Sequence, residues 1–169
     1  MANRSRQSSL AIAAIAFAIG ITSLSGCATD EKDDMLTLAE AKVITQTVER
    51  EIGSFVPADK VTLTDQHEDS PVLFDCATGH VWPGLLRLEL AEGVDREAVT
   101  AAIAAEWGDK PGWSVEVNRS ESGNPTVSIS GSGGSLWSAT FREQGREFRV
   151  TSYSPCFNLG ADVDPGEIY

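Results

Sequence analysis

Residues 113–150 carry the pattern that most restricts the possible folds of this chain: four short stretches in which apolar and polar residues alternate. Alternation with a period of two is typical of β-strands that bury one face. Short glycine-containing turns separate the stretches, which favours an antiparallel meander of neighbouring strands. The apolar positions of the four stretches are Trp113, Val115 and Val117, then Val127 and Ile129, then Trp137, Ala139 and Phe141, and finally Phe148 and Val150.

Two amphipathic helices are predicted upstream, and they would cover the apolar face of this meander. The first begins after Thr37, whose spacing from Glu40 matches a capping box. The second begins after Asp95, a good N-cap residue, and stops near Gly108. A further strand of alternating leucines covers residues 86–90. We therefore predict an α+β fold with one disulfide: a mainly antiparallel sheet ending in a four-stranded meander, with two helices packed on one face.

The N-terminal segment is typical of an export signal. Two arginines precede an uncharged apolar run over residues 10–21, which is too short to span a bilayer comfortably, since spanning takes about 20 apolar residues. Residues 24–27 (Leu-Ser-Gly-Cys) resemble the lipobox of bacterial lipoproteins. The resemblance implies cleavage between Gly26 and Cys27 and a diacylglyceryl group on the Cys27 sulfur. The alternative is an ordinary secretory signal in which the cysteine occurs by chance.

This interpretation divides the chain into a lipoprotein signal peptide (residues 1–26), an acidic tether (27–35), a single α+β domain (36–160) and an acidic tail (161–169). Each buried methylene of an acyl chain contributes about 0.8 kcal/mol, and two chains suffice for stable attachment. We therefore expect the membrane to be a partner through the lipid on Cys27. The expected location is the extracytoplasmic side of the cell membrane, and the expected state is a monomer.

Three cysteines occur, and lipidation would use Cys27. Cys76 and Cys156 remain, and in an exported domain they have only one possible intramolecular connectivity. We predict the Cys76–Cys156 disulfide, which would close a loop of about 80 residues and stabilise the fold by about 4–5 kcal/mol at most. Free thiols or a metal pair are the alternatives. Metal is the weaker one, because His67 and His80 stand in no recognised ligand spacing.

The chain is acidic, with 25 Asp and Glu residues against 13 Lys and Arg. Two of the basic residues, Arg4 and Arg6, lie in the predicted signal, so the exported part is more acidic still. Nucleic acid is an unsuitable partner, because binding it requires a basic surface. The acidity is compatible with a cationic partner, but a role in solubility is the simpler explanation.

A search for chemical motifs predicts no catalytic residue, no metal site and no cofactor. The Gly-Ser run at 131–135 lacks the lysine of a P-loop and precedes a strand. Residues 162–167 faintly resemble part of a calcium loop without its full ligand set, and an acidic tail is the simpler interpretation. Three of the four tryptophans fall on predicted core faces. Trp82, beside a Pro-Gly pair and near Cys76, is the candidate for an exposed ligand contact.

The order of these landmarks resembles that of the LppA-like lipoproteins of actinobacteria. The landmarks are the lipobox, Cys76, Trp82, the helix ending in Trp107, Gly112-Trp113, Gly133-Gly134 and Cys156. The resemblance covers most of the chain after Cys27, except the region between Gly53 and Phe74. It implies a small cell-surface lipoprotein with an α+β domain, one disulfide and no assigned activity.

Taken together, these features predict an exported, lipid-anchored module without enzyme activity that binds an envelope component or a protein partner. The alternative is a carrier that holds an apolar ligand between the helices and the sheet. An enzyme is the third possibility, and it would need a cleft with convergent polar groups.

Overall fold

A computed structural model describes residues 36–160 and 167–169 of the chain. The predicted signal peptide, the lipidation and cleavage residues Gly26 and Cys27, and the tether lie outside the described residues, as do residues 161–166 of the predicted tail.

The described residues form two helices and eight strands. In chain order they are α1 (Leu38–Gly53), β1 (Val61–Gln66), β2 (Phe74–Cys76), β3 (Gly79–Val81), β4 (Pro83–Leu90), α2 (Arg96–Gly108), β5 (Ser114–Arg119), β6 (Pro125–Ser130), β7 (Leu136–Arg142) and β8 (Glu147–Tyr153).

Six of the strands form one antiparallel sheet in the order β1-β4-β8-β7-β6-β5, and β2 pairs with β3 in a separate small hairpin. The predicted meander is therefore confirmed as β5 to β8. It is extended by β4 and β1, which join through the pairing of β4 with β8. The α+β class, with two helices and a mainly antiparallel sheet, is confirmed.

Both predicted helix starts have the expected caps. The Glu40 amide donates to Thr37 Oγ1 at 3.3 Å while the Thr37 amide donates to Glu40 Oε2 at 2.8 Å, which completes the capping box. The Ala98 amide donates to Asp95 Oδ1 at 3.0 Å. These bonds satisfy amides that the first helical turn leaves without a partner.

The helices pack on one face of the sheet, and α1 lies over β4 and β8 while α2 lies over β5 and β6. Alternate strand residues point into this layer, which is why the period-two pattern predicted them well. The buried cluster includes Ile52, Leu86, Ile103, Trp107, Ile129, Trp137, Phe148 and Val150. Trp107, Trp113 and Trp137 form a chain of ring contacts, with centroids 4.6 and 5.5 Å apart. Three of the four tryptophans therefore belong to this core.

Several local predictions are wrong, for identifiable reasons. The sequence predicts that Gly108 lies just past the end of α2 in a left-handed conformation, but Gly108 is the last helical residue and its φ is not positive. Gly53 is likewise the last residue of α1. At Gly53 the reason for glycine is packing, because a Cβ would lie 2.7 Å from Leu86 Cδ2. The polar run at residues 65–70 predicts a loop, but Asp65 lies inside β1, where it pairs with Arg87 of β4.

The other face of the sheet is open and polar, as the alternation predicts. One row across it consists of residues paired from strand to strand, namely Asp65, Arg87, Arg149, Thr140, Thr126 and Asn118. The next row towards the β7–β8 turn consists of Glu89, Glu147 and Arg142. This open face brings charged groups from four strands together, and a functional site is most readily sought there.

Candidate functional site

Trp82, the residue predicted for an exposed ligand contact, is buried with 0% of its surface exposed. Its ring packs with Ala41 and Phe157 in a second, smaller core cluster. Its indole nitrogen donates to the backbone oxygen of Tyr169 at 2.9 Å. The expectation of an exposed Trp82 is therefore wrong, because the indole is already covered by the core and by the last residues of the chain.

Tyr169, at the end of the predicted acidic tail, is bound to the domain. Its backbone amide donates to the Ser70 oxygen at 2.8 Å, and the Ser70 amide donates back to Tyr169. Tyr169 also packs against the cluster around Trp82. Residues 167–169 thus form part of the folded unit.

Cys76 and Cys156 form the predicted disulfide, with Cα atoms 6.2 Å apart and 80 positions between them in the sequence. The bond joins the β2–β3 hairpin to the segment after β8. Thr78 Oγ1 donates to Cys156 Sγ at 3.4 Å. The disulfide therefore links the hairpin to the chain segment that follows the sheet, and we assign it a structural role.

A polar cleft of about 660 Å³ lies where the open face reaches the β7–β8 turn. Residues from α2, the β5–β6 turn, β7 and β8 line it, and they include Arg96, Asn124, Thr140, Arg142, Glu147 and Arg149. We call this feature the arginine cleft. Its lining holds three arginines and two glutamates, whereas acidic residues outnumber basic ones almost two to one in the whole chain.

The backbone of the β7–β8 turn has an unusual conformation beside the cleft. Glu143 and Gln144 have φ values of 49° and 58°, and Gly145 follows with 89°. Residues other than glycine adopt such values at a cost, and strained positions of this kind cluster at functional sites. The turn also positions a side chain, because the stem of Arg96 lies against Gly145, where a Cβ would be 3.0 Å from Arg96 Cδ.

Three arginines around this turn have no carboxylate partner within the part of the chain that the structure describes. They are Arg96, Arg142 and Arg146. Arg96 Nη1 donates to the Asn124 side-chain oxygen at 2.6 Å, a neutral acceptor that holds the guanidinium without cancelling its charge. Arginine forks bind carboxylate and phosphate oxygens in pairs, so unpaired guanidinium groups favour an anionic ligand.

Arg149, the third arginine of the cleft lining, is held in place by Glu147. Its Nε and Nη2 atoms lie 2.8 and 2.7 Å from Glu147 Oε1, and the Glu147 side chain is buried. Across the sheet Arg149 faces Arg87, whose Nη2 lies 3.3 Å from Asp65. The carboxylates therefore neutralise the two facing arginines, and the positive charge available to a ligand in the cleft comes from Arg96 and Arg142. Arg146 lines two neighbouring cavities and not the cleft itself.

Neutral donors and acceptors complete the rim of the cleft. Ser120 Oγ and Ser122 Oγ lie 2.9 Å apart, and Asn124 Nδ2 donates to Ser122 Oγ at 3.0 Å. Thr140 also lines the cleft, and its Oγ1 lies 2.9 Å from Thr126 Oγ1 on the neighbouring strand. Hydroxyl and amide groups next to guanidinium groups suit a ligand that carries both oxyanions and hydroxyls, such as an acidic sugar.

A second cavity of about 440 Å³ lies between the end of α1 and strands β1 and β4. Its lining includes Gly53, Val56, Val61, Leu86 and Leu88, with Arg50 and Thr64 at the side. We call it the apolar groove. It has the size and location that the carrier hypothesis requires.

Glu49 has a raised pKa. Its carboxyl group lies between α1 and the sheet, and burial raises the pKa, while hydrogen bonds from Ser152 and Gln66 partly offset that rise. Glu49 lines neither the arginine cleft nor the apolar groove. Its environment is accounted for by packing, and we assign it a structural role.

Sequence reasoning missed the arginine cleft because its arginines come from three separate segments of the chain and form no motif. The one local signal was the Gln144-Gly145 pair, which predicts a turn between the last two strands of the meander. That turn is confirmed, but the pair gives no information about the side chains around it. A weaker signal was available: Arg142, Arg146 and Arg149 form a cluster of basic residues in an otherwise acidic chain.

Comparison with protein-family models, with curated proteins and with solved structures finds no match to this chain. The resemblance to LppA-like lipoproteins therefore stays a prediction. Within residues 36–160 and 167–169, no helix is long and apolar enough to cross a membrane. The same residues contain no group of three or more His, Cys, Asp or Glu side chains placed to hold a metal ion.

Proposed function

We propose that this chain is an exported, lipid-anchored binding module whose arginine cleft holds an anionic component of the cell envelope. The observation that carries the proposal is that two arginines lining the cleft, Arg96 and Arg142, have no carboxylate partner among the described residues of a chain rich in carboxylates. The expected ligand is a glycan or polyol that bears carboxylate or phosphate groups.

Titration of the full chain with glucuronate and with glycerol 3-phosphate, followed by amide NMR shifts, tests the cleft. We expect shifts confined to residues 120–124 and 140–149. Arg142→Gln should weaken binding about tenfold or more, because a hydrogen bond to a charged group contributes about 1.5–3 kcal/mol. Arg50→Gln removes the same charge from α1, outside the cleft, and should leave the affinity unchanged.

Two results would contradict the proposed cleft. One is the absence of shifts at these residues with both probes. The other is an equal loss of affinity in Arg142→Gln and Arg50→Gln, which would indicate a general charge effect. A difference between the two probes identifies whether the cleft prefers carboxylate or phosphate.

The anchoring part of the proposal rests on the lipobox-like residues 24–27. An intact mass of the protein from its native host should show a chain that begins at Cys27 and carries a diacylglyceryl group. A chain without that adduct would exclude the anchor.

The apolar groove favours a second candidate function, a carrier of an apolar ligand. Native mass spectrometry with palmitate tests it, and Thr64→Trp should fill the groove and abolish the adduct. Leu63→Trp, at the next position of β1 and outside the groove, is the matched control and should retain it. Equal palmitate binding by both variants would place the ligand elsewhere.

A further inference from the structure

The position at which the described domain begins limits how it can face a membrane. Leu36 pairs with Phe157, Phe157 pairs with His80 of β3, and His80 pairs with Asp75 of β2. Adjacent extended segments lie about 4.8 Å apart, so Leu36 is within roughly 15 Å of the β2–β3 hairpin.

The chain between the proposed lipid anchor and the domain is short. Nine residue steps separate Cys27 from Leu36, and a fully extended chain covers at most about 3.3–3.6 Å per residue. If Cys27 carries the lipid, the end of the domain around Leu36 is held within roughly 30 Å of the bilayer.

Exposed apolar side chains gather at this same end. Phe74 and Tyr153 are 47% and 40% exposed, and their rings meet edge to face with centroids 5.7 Å apart. Val72 and Ile168 are also exposed. They lie close together because Ser70 accepts the amide of Tyr169, the neighbour of Ile168, while its hydroxyl donates to the Val72 oxygen at 2.8 Å. We call these four residues, Val72, Phe74, Tyr153 and Ile168, the aromatic patch.

The chemistry of the aromatic patch suits the boundary between lipid and water. Aromatic rings with a polar tip are enriched at that depth, and an exposed apolar cluster is favourable there because the bilayer covers it. The exposed carboxylate of Asp75 beside Phe74 would be repelled by anionic headgroups, so a zwitterionic surface is the better match.

We infer that the aromatic patch rests on the lipid surface and orients the anchored domain, an inference that depends on the proposed anchor at Cys27. Strand β8 runs from Glu147 at the arginine cleft to Tyr153 at the patch. Its six residue steps span roughly 20 Å. With the patch on the lipid, the arginine cleft opens at the far end of the sheet, where an envelope ligand can reach it.

Depth-dependent fluorescence quenching tests this orientation. The full lipidated chain carrying Phe74→Trp is reconstituted into phosphatidylcholine vesicles with brominated acyl chains, and the unsubstituted protein supplies the background of the native tryptophans. We expect the brominated acyl chains to quench the additional emission from the Trp at position 74. Leu63→Trp is the matched control, since Leu63 is 46% exposed but pairs with Glu89 in the row beside the arginine cleft. Its added emission should be retained.

Equal quenching at positions 63 and 74, or none at either, would overturn the inference. A chain that does not float with the vesicles at all would instead refute the proposed anchor, so the two failures are distinguishable.

Amide hydrogen exchange of the unsubstituted protein is a second, independent measurement. Residues 72–76 should exchange more slowly on vesicles than after delipidation, while the exchange rates of residues 142–146 should not change. Slowing in neither segment would count against the inference.

Discussion

Glu49 shows at the scale of single residues how a polar group is accommodated inside this fold. Its two carboxylate oxygens accept hydrogen bonds from Ser152 Oγ at 2.5 Å and from Gln66 Nε2 at 2.7 Å. Gly84 lies opposite, and only the absence of a side chain there leaves space for the carboxyl group. The three partners come from β8, β1 and β4, so this one group links α1 to three strands of the sheet.

The stability of the protein should depend on pH through Glu49. Burial raises its folded-state pKa above the ordinary value of 4.5, so the folded state holds the proton more tightly than the unfolded state does. The free energy of unfolding should therefore fall as pH rises from about 4.5 through the raised pKa.

Glu49→Gln should lack this decline. Urea unfolding of both proteins on each side of the ordinary pKa tests the prediction. Glu40, whose pKa the Thr37 hydrogen bonds lower, titrates with the opposite sign but in both proteins, so it cancels in the comparison. If the free energy of unfolding changed with pH in the same way in both proteins, Glu49 would not be the cause of the decline.

Gly84→Ala should destabilise the fold, because its Cβ would lie 2.5 Å from Ser152 Oγ and 2.8 Å from the Trp82 ring, besides touching Glu49. Overpacking of this kind typically costs about 1–3 kcal/mol. Gly108→Ala is the control, since a Cβ there meets nothing within 4 Å and a helical alanine should gain about 0.5–1 kcal/mol. Urea midpoints that shift equally in the two variants would contradict the packing argument.

At the scale of elements, the β7–β8 turn connects the geometry of the backbone with the candidate site. Three successive residues with positive φ bring Arg142 and Arg146 to either side of the turn, and Gly145 supports Arg96 from α2. The sequence predicted the turn because a Gln-Gly pair follows an alternating strand. The arrangement of the arginines around it required the packing of α2.

Gly145→Ala should lower stability more than Gly134→Ala. Both glycines have positive φ, 89° and 75°, so a side chain costs roughly 1 kcal/mol at either position. Only at Gly145 does the added Cβ also press on Arg96, at 3.0 Å, whereas the space around Gly134 is open. In thermal unfolding, Gly145→Ala should have the lower unfolding temperature of the two variants. Only Gly145→Ala should alter anion binding. If Gly134→Ala lost more stability than Gly145→Ala, the contact with Arg96 would not explain the effect.

At the scale of the whole molecule, the disulfide and the last residues hold one end of the domain together. Cys76–Cys156 joins the β2–β3 hairpin to the segment after β8, and Tyr169 covers Trp82 at the same end. The arginine cleft lies at the other end of the sheet. The domain thus has a cross-linked end near the start of the described chain and an end with a polar cleft.

Replacing Cys76 and Cys156 together by serine should lower the free energy of unfolding by about 4 kcal/mol, because the bond closes a loop of 80 residues in the unfolded chain. Differential scanning calorimetry measures the change. Cys27→Ser removes the predicted lipid and leaves the disulfide, so the domain's unfolding temperature should not change. A loss in Cys27→Ser as large as in the double variant would rule out the cross-link as the cause.

The sequence alone determined the local features, because each depends on residues close together in the chain. The alternating positions from Trp137 to Val150 predicted strands with one buried face, and Thr37 with Glu40 predicted a helix start. The count of cysteines left Cys76 and Cys156 as the only internal pair once Cys27 is assigned to the lipid. All three of these predictions are confirmed in the described residues.

The tertiary structure decided what distant segments do together. The pairing of β4 with β8 and the burial of Trp82 under Tyr169 depend on contacts more than 50 positions apart, which no local pattern contains. Arg96 and Arg142 line one cleft although they lie in different elements, and no local pattern contains that arrangement either. Side-chain periodicity says which face of a strand is buried, but only the packed chain determines which residues meet there.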